Sequence, residues 1–167
     1  MTEKRFAQPL FPSEESRKGQ EMKTVEIYTD GACRGNPGPG GWAAILVWGQ
    51  REKELSDGEA LTTNNRMELL AAIRGLEALK ERCHVVLYSD SKYLVDAVTL
   101  GWAVAWKKKG WKKADGSRAK NDDLWEVLLT LLDAHEVEMR WVKGHNGHGY
   151  NERCDALATA RADAFRS

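Results

Sequence analysis

The segments Thr24–Cys33, TVEIYTDGAC, and His84–Asp90, HVVLYSD, decide how this chain folds. In the first, Val25, Ile27 and Thr29 alternate with Glu26, Tyr28 and Asp30, the period-two pattern of a strand with one face on a core. In the second, Val85, Val86 and Leu87 make a further strand, again followed by an aspartate. A helical crossover between parallel strands is right-handed, so these two strands can lie side by side with their C-terminal ends on one rim. Open α/β sheets usually carry their sites on that rim.

Working outward, Gly35-Asn-Pro-Gly-Pro-Gly-Gly41 reads as a turn or loop, Trp42–Trp48 (WAAILVW) as a buried strand and Lys53–Ala60 as its hairpin partner. Apolar positions 69, 72, 73, 76 and 79 follow helical spacing from Leu69. Ser91–Leu100 and Leu124–Ala134 read as helices, Val137–Val142 as a strand and Asn151–Phe165 as a closing helix. The fold class predicted is α/β: a five-stranded mixed sheet, built of a three-strand antiparallel meander plus two parallel strands, with helices on both faces. Residues 1–22 mix charges with two prolines and no sustained periodicity, and are expected to form a mobile tail ahead of one domain over 23–167. Met22 is a candidate for the true start, a reading that intact mass of the natively expressed protein tests.

With 167 residues and 42% hydrophobic content, the chain can bury a core without disulfides or structural metals. Lys plus Arg and Asp plus Glu are equal at 25 each, yet residues 101–120 hold seven basic side chains and one acidic, a local +6 inside a neutral sum. Cys33, Cys83 and Cys154 are odd in number, far apart and without C-x-x-C spacing, which argues against a disulfide framework and a zinc site. No stretch approaches the ~20 apolar residues of a spanning helix, so a soluble cytoplasmic protein is expected.

Four acids sit at ends of these elements, and each has an innocent reading. Asp30 suits a turn that accepts backbone hydrogen bonds. Glu68 follows Asn65 by three, the spacing of a capping box. Asp90 precedes a helix as an N-cap would, and Asp155 near the start of the last helix suits the helix dipole. Those readings do not explain why the topology should bring all four to one rim. Like charges gathered there repel unless a cation joins them, and magnesium, which takes hard oxygen ligands together with substrate phosphates, is the natural choice.

The segments Tyr28–Gly41, Thr62–Leu69 (TTNNRMEL), Tyr88–Ser91 (YSDS) and Trp141–His148 (WVKGHNGH), with Asn151–Asp155 (NERCD), resemble bacterial type 1 ribonuclease H, in the same order and from about Lys23 to Ala164. The resemblance implies the ribonuclease H-like fold and an endonuclease that hydrolyses the RNA strand of RNA–DNA hybrids with two Mg2+ ions, Mn2+ being a possible substitute, leaving 5′-phosphate and 3′-hydroxyl ends. Asp30 would bridge the two ions, Asp155 would complete the site that activates water, and Glu68 and Asp90 would hold the ion facing the leaving 3′-oxygen. His145, with an imidazole that titrates near working pH, would assist proton transfer or product departure; an exposed loop histidine is the plainer reading, which the nearby His148 strengthens, and His145 is favoured because a mobile loop can deliver it.

The same resemblance assigns substrate contacts. The backbone around Cys33 and the side chain of Glu68 would meet RNA 2′-hydroxyls, Asn36, Asn64 and Asn65 would meet the minor groove or backbone, and Thr63 a DNA phosphate, all of them also fitting turn and cap chemistry. The segment Gly101–Lys120 interleaves Trp102, Trp106 and Trp111 with Lys107, Lys108, Lys109, Lys112 and Lys113, and corresponds to a basic protrusion that grips substrate. Trp111 is expected to be buried. Lys92 is included among the contacts although it stands where relatives often carry glutamine, and the stretch from Asp90 to Trp102 is one residue longer than in a familiar member. The competing readings are a DNA-cutting, integrase-like enzyme on the same fold and a non-catalytic module binding nucleic acid through residues 101–120. The expected partner is the hybrid duplex, with no membrane, no obligate protein partner and a monomeric state.

Overall fold

A computed structural model describes residues 22–143 and 149–165. Its five strands are β1 (Thr24–Cys33), β2 (Gly38–Trp48), β3 (Arg51–Thr62), β4 (His84–Ser89) and β5 (Glu136–Trp141), arranged in the order β3-β2-β1-β4-β5. β1 to β3 form the antiparallel meander, and β1, β4 and β5 run parallel to one another. The helices are α1 (Asn64–Glu77), α2 (Lys92–Thr99), α3 (Trp102–Lys108), α4 (Asp122–Ala134) and α5 (Gly149–Asp163). The mixed α/β sheet read from the sequence is the one observed. The tail 1–22 falls, apart from Met22, outside the described residues.

Strand alternation builds two cores, one on each face. Ile27, Ala44 and Leu87 turn to the face covered by α1 and α4, where Ile73, Leu76, Trp125 and Leu128 complete the larger cluster. Fully burying each aliphatic side chain of this kind contributes about 1.5–3 kcal/mol. Tyr28, Ala43 and Ile45 point to the opposite face and meet Cys154 and Ala158 of α5. The three cysteines are free, and no helix among the described residues is long and apolar enough to cross a membrane.

Two boundaries differ from expectation for physical reasons. Gly38–Gly41 belongs to β2, not to a loop, with a bulge between Gly38 and Gly40. Gly41 is there because α5 lies against the strand: a Cβ on it would come within 2.1 Å of the Ala158 carbonyl oxygen and 2.8 Å of the Ala162 nitrogen. α1 starts at Asn64, five residues before the expected apolar periodicity, because Thr63 caps it by accepting the Arg66 amide at 3.3 Å.

Candidate active site

Parallel pairing runs from Thr24↔His84 to Tyr28↔Tyr88, so two residues further along the same register Asp30 stands beside Asp90 at the C-terminal rim. Thr29 reinforces this edge by donating its hydroxyl to the Tyr88 carbonyl at 2.8 Å. Gly31, next to Asp30, has no room for a side chain, since a Cβ there would lie 2.7 Å from the Glu68 amide nitrogen and 2.9 Å from the Met67 carbonyl carbon. β1 and α1 therefore touch backbone to backbone at the point where Glu68 enters.

Carboxylate oxygens of Asp30, Glu68 and Asp90 all lie within 4.8 Å of one another. Asp30 is 5% exposed and Glu68 3%, and Asp90 is half-buried. Burial, and after it the charge of Asp90, pushes the Asp30 carboxyl up to about 8, against the pull of the Gly31 amide that donates to its Oδ1 at 2.8 Å. Asp155, half-buried in α5, raises Asp30 further through its charge and a hydrogen bond. Glu68 is held well above the usual carboxylate range, first by burial and then by Asp30 and Asp90.

The innocent readings of the acids do not hold here. Asp30 lies inside β1, opposite Ala43, and not in a turn. Glu68 sits beyond the first turn of α1, whose cap is Thr63, so it closes no capping box. Ser91, not Asp90, caps α2 by accepting the Leu94 amide at 3.1 Å. The acid in the first turn of α5 is Glu152, and Asp155 lies three residues further on, in the next turn. None of the four is needed to finish an element.

These residues fit a divalent cation. Glu68 Oε1 is buried without a hydrogen-bond partner among the described residues, a costly arrangement that a metal ion relieves. The donor set is all carboxylate oxygen, the chemistry that suits Mg2+ or Mn2+ and not a soft metal.

A family model for RNase H matches residues 22–163. The chain belongs to the ribonuclease H family. It is 58% identical over 141 residues to a ribonuclease H of Novosphingobium aromaticivorans, which covers 84% of this chain and 98% of that relative. Identity is 60% over 142 residues to a ribonuclease H of Erythrobacter litoralis, covering 85% and 98%. Among solved structures, LC9-RNase H1, described as a type 1 RNase H with the type 2 active-site motif, superposes with a TM-score of 0.78 at 33% identity, over 88% of this chain and 75% of that one.

The other predicted residues flank the acids. Asn36 Oδ1 accepts the Asn64 amide at 2.9 Å, tying the β1–β2 turn to the start of α1, where Thr63, Asn64 and Asn65 cluster. The Cys33 thiol donates to the Gly35 carbonyl at 2.7 Å, and burial raises it, so it is occupied in holding that turn. Lys92 opens α2 beside Asp90.

In the basic segment, Trp102 is 42% exposed and Lys108 and Lys109 are exposed, whereas Trp106 turns edge-on to Trp125 with centroids 6.0 Å apart and is half-buried. Trp111 is buried and donates its indole N–H to Glu126 at 3.0 Å, and Lys107 pairs with Glu126 at 3.4 Å. His145 lies outside the described residues, as does His148. The sequence reading assigned no role to Gly31 or Trp141, because the importance of each lies in what another element brings against it.

Proposed function

We propose that this chain hydrolyses the RNA strand of RNA–DNA hybrids as a metal-dependent endonuclease, on the strength of one observation above all: three carboxylates within 4.8 Å of one another, two of them buried, with no element-capping task of their own. In this reading Asp30, Glu68 and Asp90 hold divalent metal, with Asp155 beside Asp30 completing the set, and Mg2+ is the ion, two per site with substrate bound and Mn2+ able to replace it. Bound there, the metal supplies an activated water and offsets charge on the leaving 3′-oxygen, leaving 5′-phosphate and 3′-hydroxyl ends.

The chain's own residues do the rest. The Gly31 contact fixes Glu68 against Asp30, and the Asn36–Asn64 bond holds the β1–β2 turn beside α1, so that Cys33, Asn36, Thr63, Asn64 and Asn65 form one surface along the acids for 2′-hydroxyls, minor groove and phosphate. Trp102, Trp106 and Lys107 to Lys109 extend that surface toward the phosphate backbone, with Lys92 nearer the acids. His145, assigned from sequence alone, moves a proton or speeds product departure. The protein works as a cytoplasmic monomer, without an obligate protein partner, its catalytic domain spanning 23–167.

The test is cleavage of labelled hybrid by wild type and by Asp30→Asn, with Mg2+ and with chelator, alongside duplex DNA. Cutting of hybrid by wild type in Mg2+ alone is expected. Cutting of duplex DNA with hybrid left intact would decide for an integrase-like enzyme, and cutting by every combination would remove the carboxylate mechanism.

A further inference from the structure

Trp141 is the last residue of β5 and 46% exposed, a large apolar surface left at the rim beside the acids. It pairs in register with Ser89, and the Val142 amide makes the final ladder bond to the Ser89 carbonyl at 2.9 Å. Asp90 is thus one residue past the end of the β4–β5 ladder. The Trp141 indole reaches across this gap: its Nε1–H donates to the Asp90 backbone carbonyl at 3.2 Å. On the same ring, the Lys92 ammonium sits 5.0 Å from the centroid, a cation–π distance.

We propose that Trp141 is a positioning residue with two duties, its indole N–H fixing the Asp90 backbone so that the carboxylate faces Asp30 and Glu68, and its ring seating the Lys92 ammonium to receive a phosphate of the nucleic-acid substrate. The proposal rests on the reading of the acids as a metal-dependent hybrid nuclease. Its first half follows from where the backbone is already held. The Ser91 amide donates to Ser89 Oγ at 3.0 Å, and Ser91 Oγ caps α2, so the residues on either side of Asp90 are fastened. The Asp90 carbonyl and the Ser91 N–H are the two ends of one peptide group, which the Trp141 indole and Ser89 Oγ hold from opposite sides; losing the indole contact would free the carbonyl end to tilt and carry the Asp90 Cα, and with it the carboxylate, out of place. Partners that orient a metal ligand are worth a large share of metal affinity.

The second half follows from the chemistry of lysine. A lysine on a surface helix has a flexible stem and a strongly hydrated head, and offers a phosphate no fixed geometry. Seated over an indole it keeps its charge and loses freedom before substrate arrives, so less is lost on binding. Its place one helix position from Ser91 puts that charge on the Asp90 side of the rim, opposite the surface formed by Asn36 and Asn64.

The two duties separate by substitution. Trp141→Phe keeps a ring for Lys92 and loses the N–H, whereas Lys92→Met keeps the stem and loses the charge. Mn2+ affinity is measured by titration calorimetry without nucleic acid, hybrid affinity in Ca2+ across a salt series, and kcat and KM in Mg2+. For Trp141→Phe we expect Mn2+ affinity and kcat to fall by about 10-fold, with KM for hybrid and the salt dependence close to wild type. Lys92→Met should leave Mn2+ affinity at wild type, raise KM by about 2–5-fold and flatten the slope of log K against log salt by about 0.7–0.9, one phosphate contact. Trp141→Ala should show both effects, and equal far-UV spectra and melting curves mark the variants as folded. Unchanged Mn2+ affinity in Trp141→Phe overturns the clamp, and an unchanged salt slope in Lys92→Met overturns the cation seat. Wild type that binds Mn2+ and leaves hybrid uncut would instead overturn the nuclease reading, which these metal titrations do not depend on.

Discussion

Asp30 keeps its proton to about pH 8 in the metal-free fold, although the unfolded chain releases it near 3.8. Between those values the folded state binds more protons than the unfolded one, so stability falls as pH rises. The contribution is fully present below about pH 4 and gone above about pH 8, and Glu68, raised in the same direction, adds to it. In chelator, the wild-type melting temperature should therefore drop between pH 5.5 and pH 8 by more than that of Asp30→Asn, which carries no charge to bury. At pH 8 the Asp30→Asn variant should be the more stable by at least about 1 kcal/mol, or ~2–4 °C for a domain of this size, while losing cleavage. Adding Mg2+ should restore the wild type at pH 8 and do little at pH 5.5, where Asp30 and Glu68 hold protons. Equal melting of the two proteins at pH 8 in chelator would mean that neither burial nor the neighbouring acids strain the Asp30 carboxylate. Gly31 carries the related prediction for geometry: Gly31→Ala drives a methyl toward the Glu68 amide, from which its Cβ would stand 2.7 Å, and should cut kcat by at least about 10-fold with a smaller effect on hybrid affinity.

Helix α5 reaches the site only because β2 lets it come close. Cys154 donates its thiol to the Tyr28 carbonyl at 3.2 Å, and Ala158 and Ala162 rest on Gly41, so the helix sits low enough to put Asp155 beside Asp30. A methyl at position 41 meets the Ala158 carbonyl and two further atoms of α5, none of which is a flexible tip. Gly41→Ala should consequently lower stability by about 1–3 kcal/mol, read as a shift of the urea midpoint, and should reduce cleavage in proportion to the displacement of Asp155. A midpoint equal to wild type would show that α5 is free to move outward. This contact also explains what the sequence left hidden. Gly-Pro-Gly-Gly has the composition of a turn, and nothing local distinguishes a glycine that bends the chain from one that admits a helix from over a hundred residues away. The start of α1 was ambiguous for a similar reason: Thr63 and Asn65 are both good caps, and the choice between them depends on the Asn36 side chain arriving to bind the Asn64 amide. Period-two and helical patterns, by contrast, are local, and they located β1, β4, α2 and α4 to within a few residues.

At the scale of the whole molecule, the charge is balanced and the excess of basic over acidic side chains is concentrated in one segment, which the sequence made plain through the lysines of residues 101–120. Which of those lysines are available was not legible, because the side chain that decides it comes from α4. Glu126 takes the Trp111 indole and the Lys107 ammonium, at 3.0 and 3.4 Å, and so fastens the middle of the segment to the body and engages Lys107, which is exposed like Lys108 and Lys109. A cation already paired with a carboxylate releases fewer counterions when it meets a phosphate. Lys108→Ala and Lys109→Ala should therefore each flatten the slope of log K against log salt for hybrid by up to about 0.9, whereas Lys107→Ala should change it less and should instead loosen the segment by exposing the Trp111 contact. Anisotropy of labelled hybrid in Ca2+ over a salt series measures the slopes, and tryptophan emission reports on Trp111. Three equal slopes would mean that Glu126 does not discriminate among the lysines, and that the segment meets its substrate as a diffuse field of charge and not through particular residues.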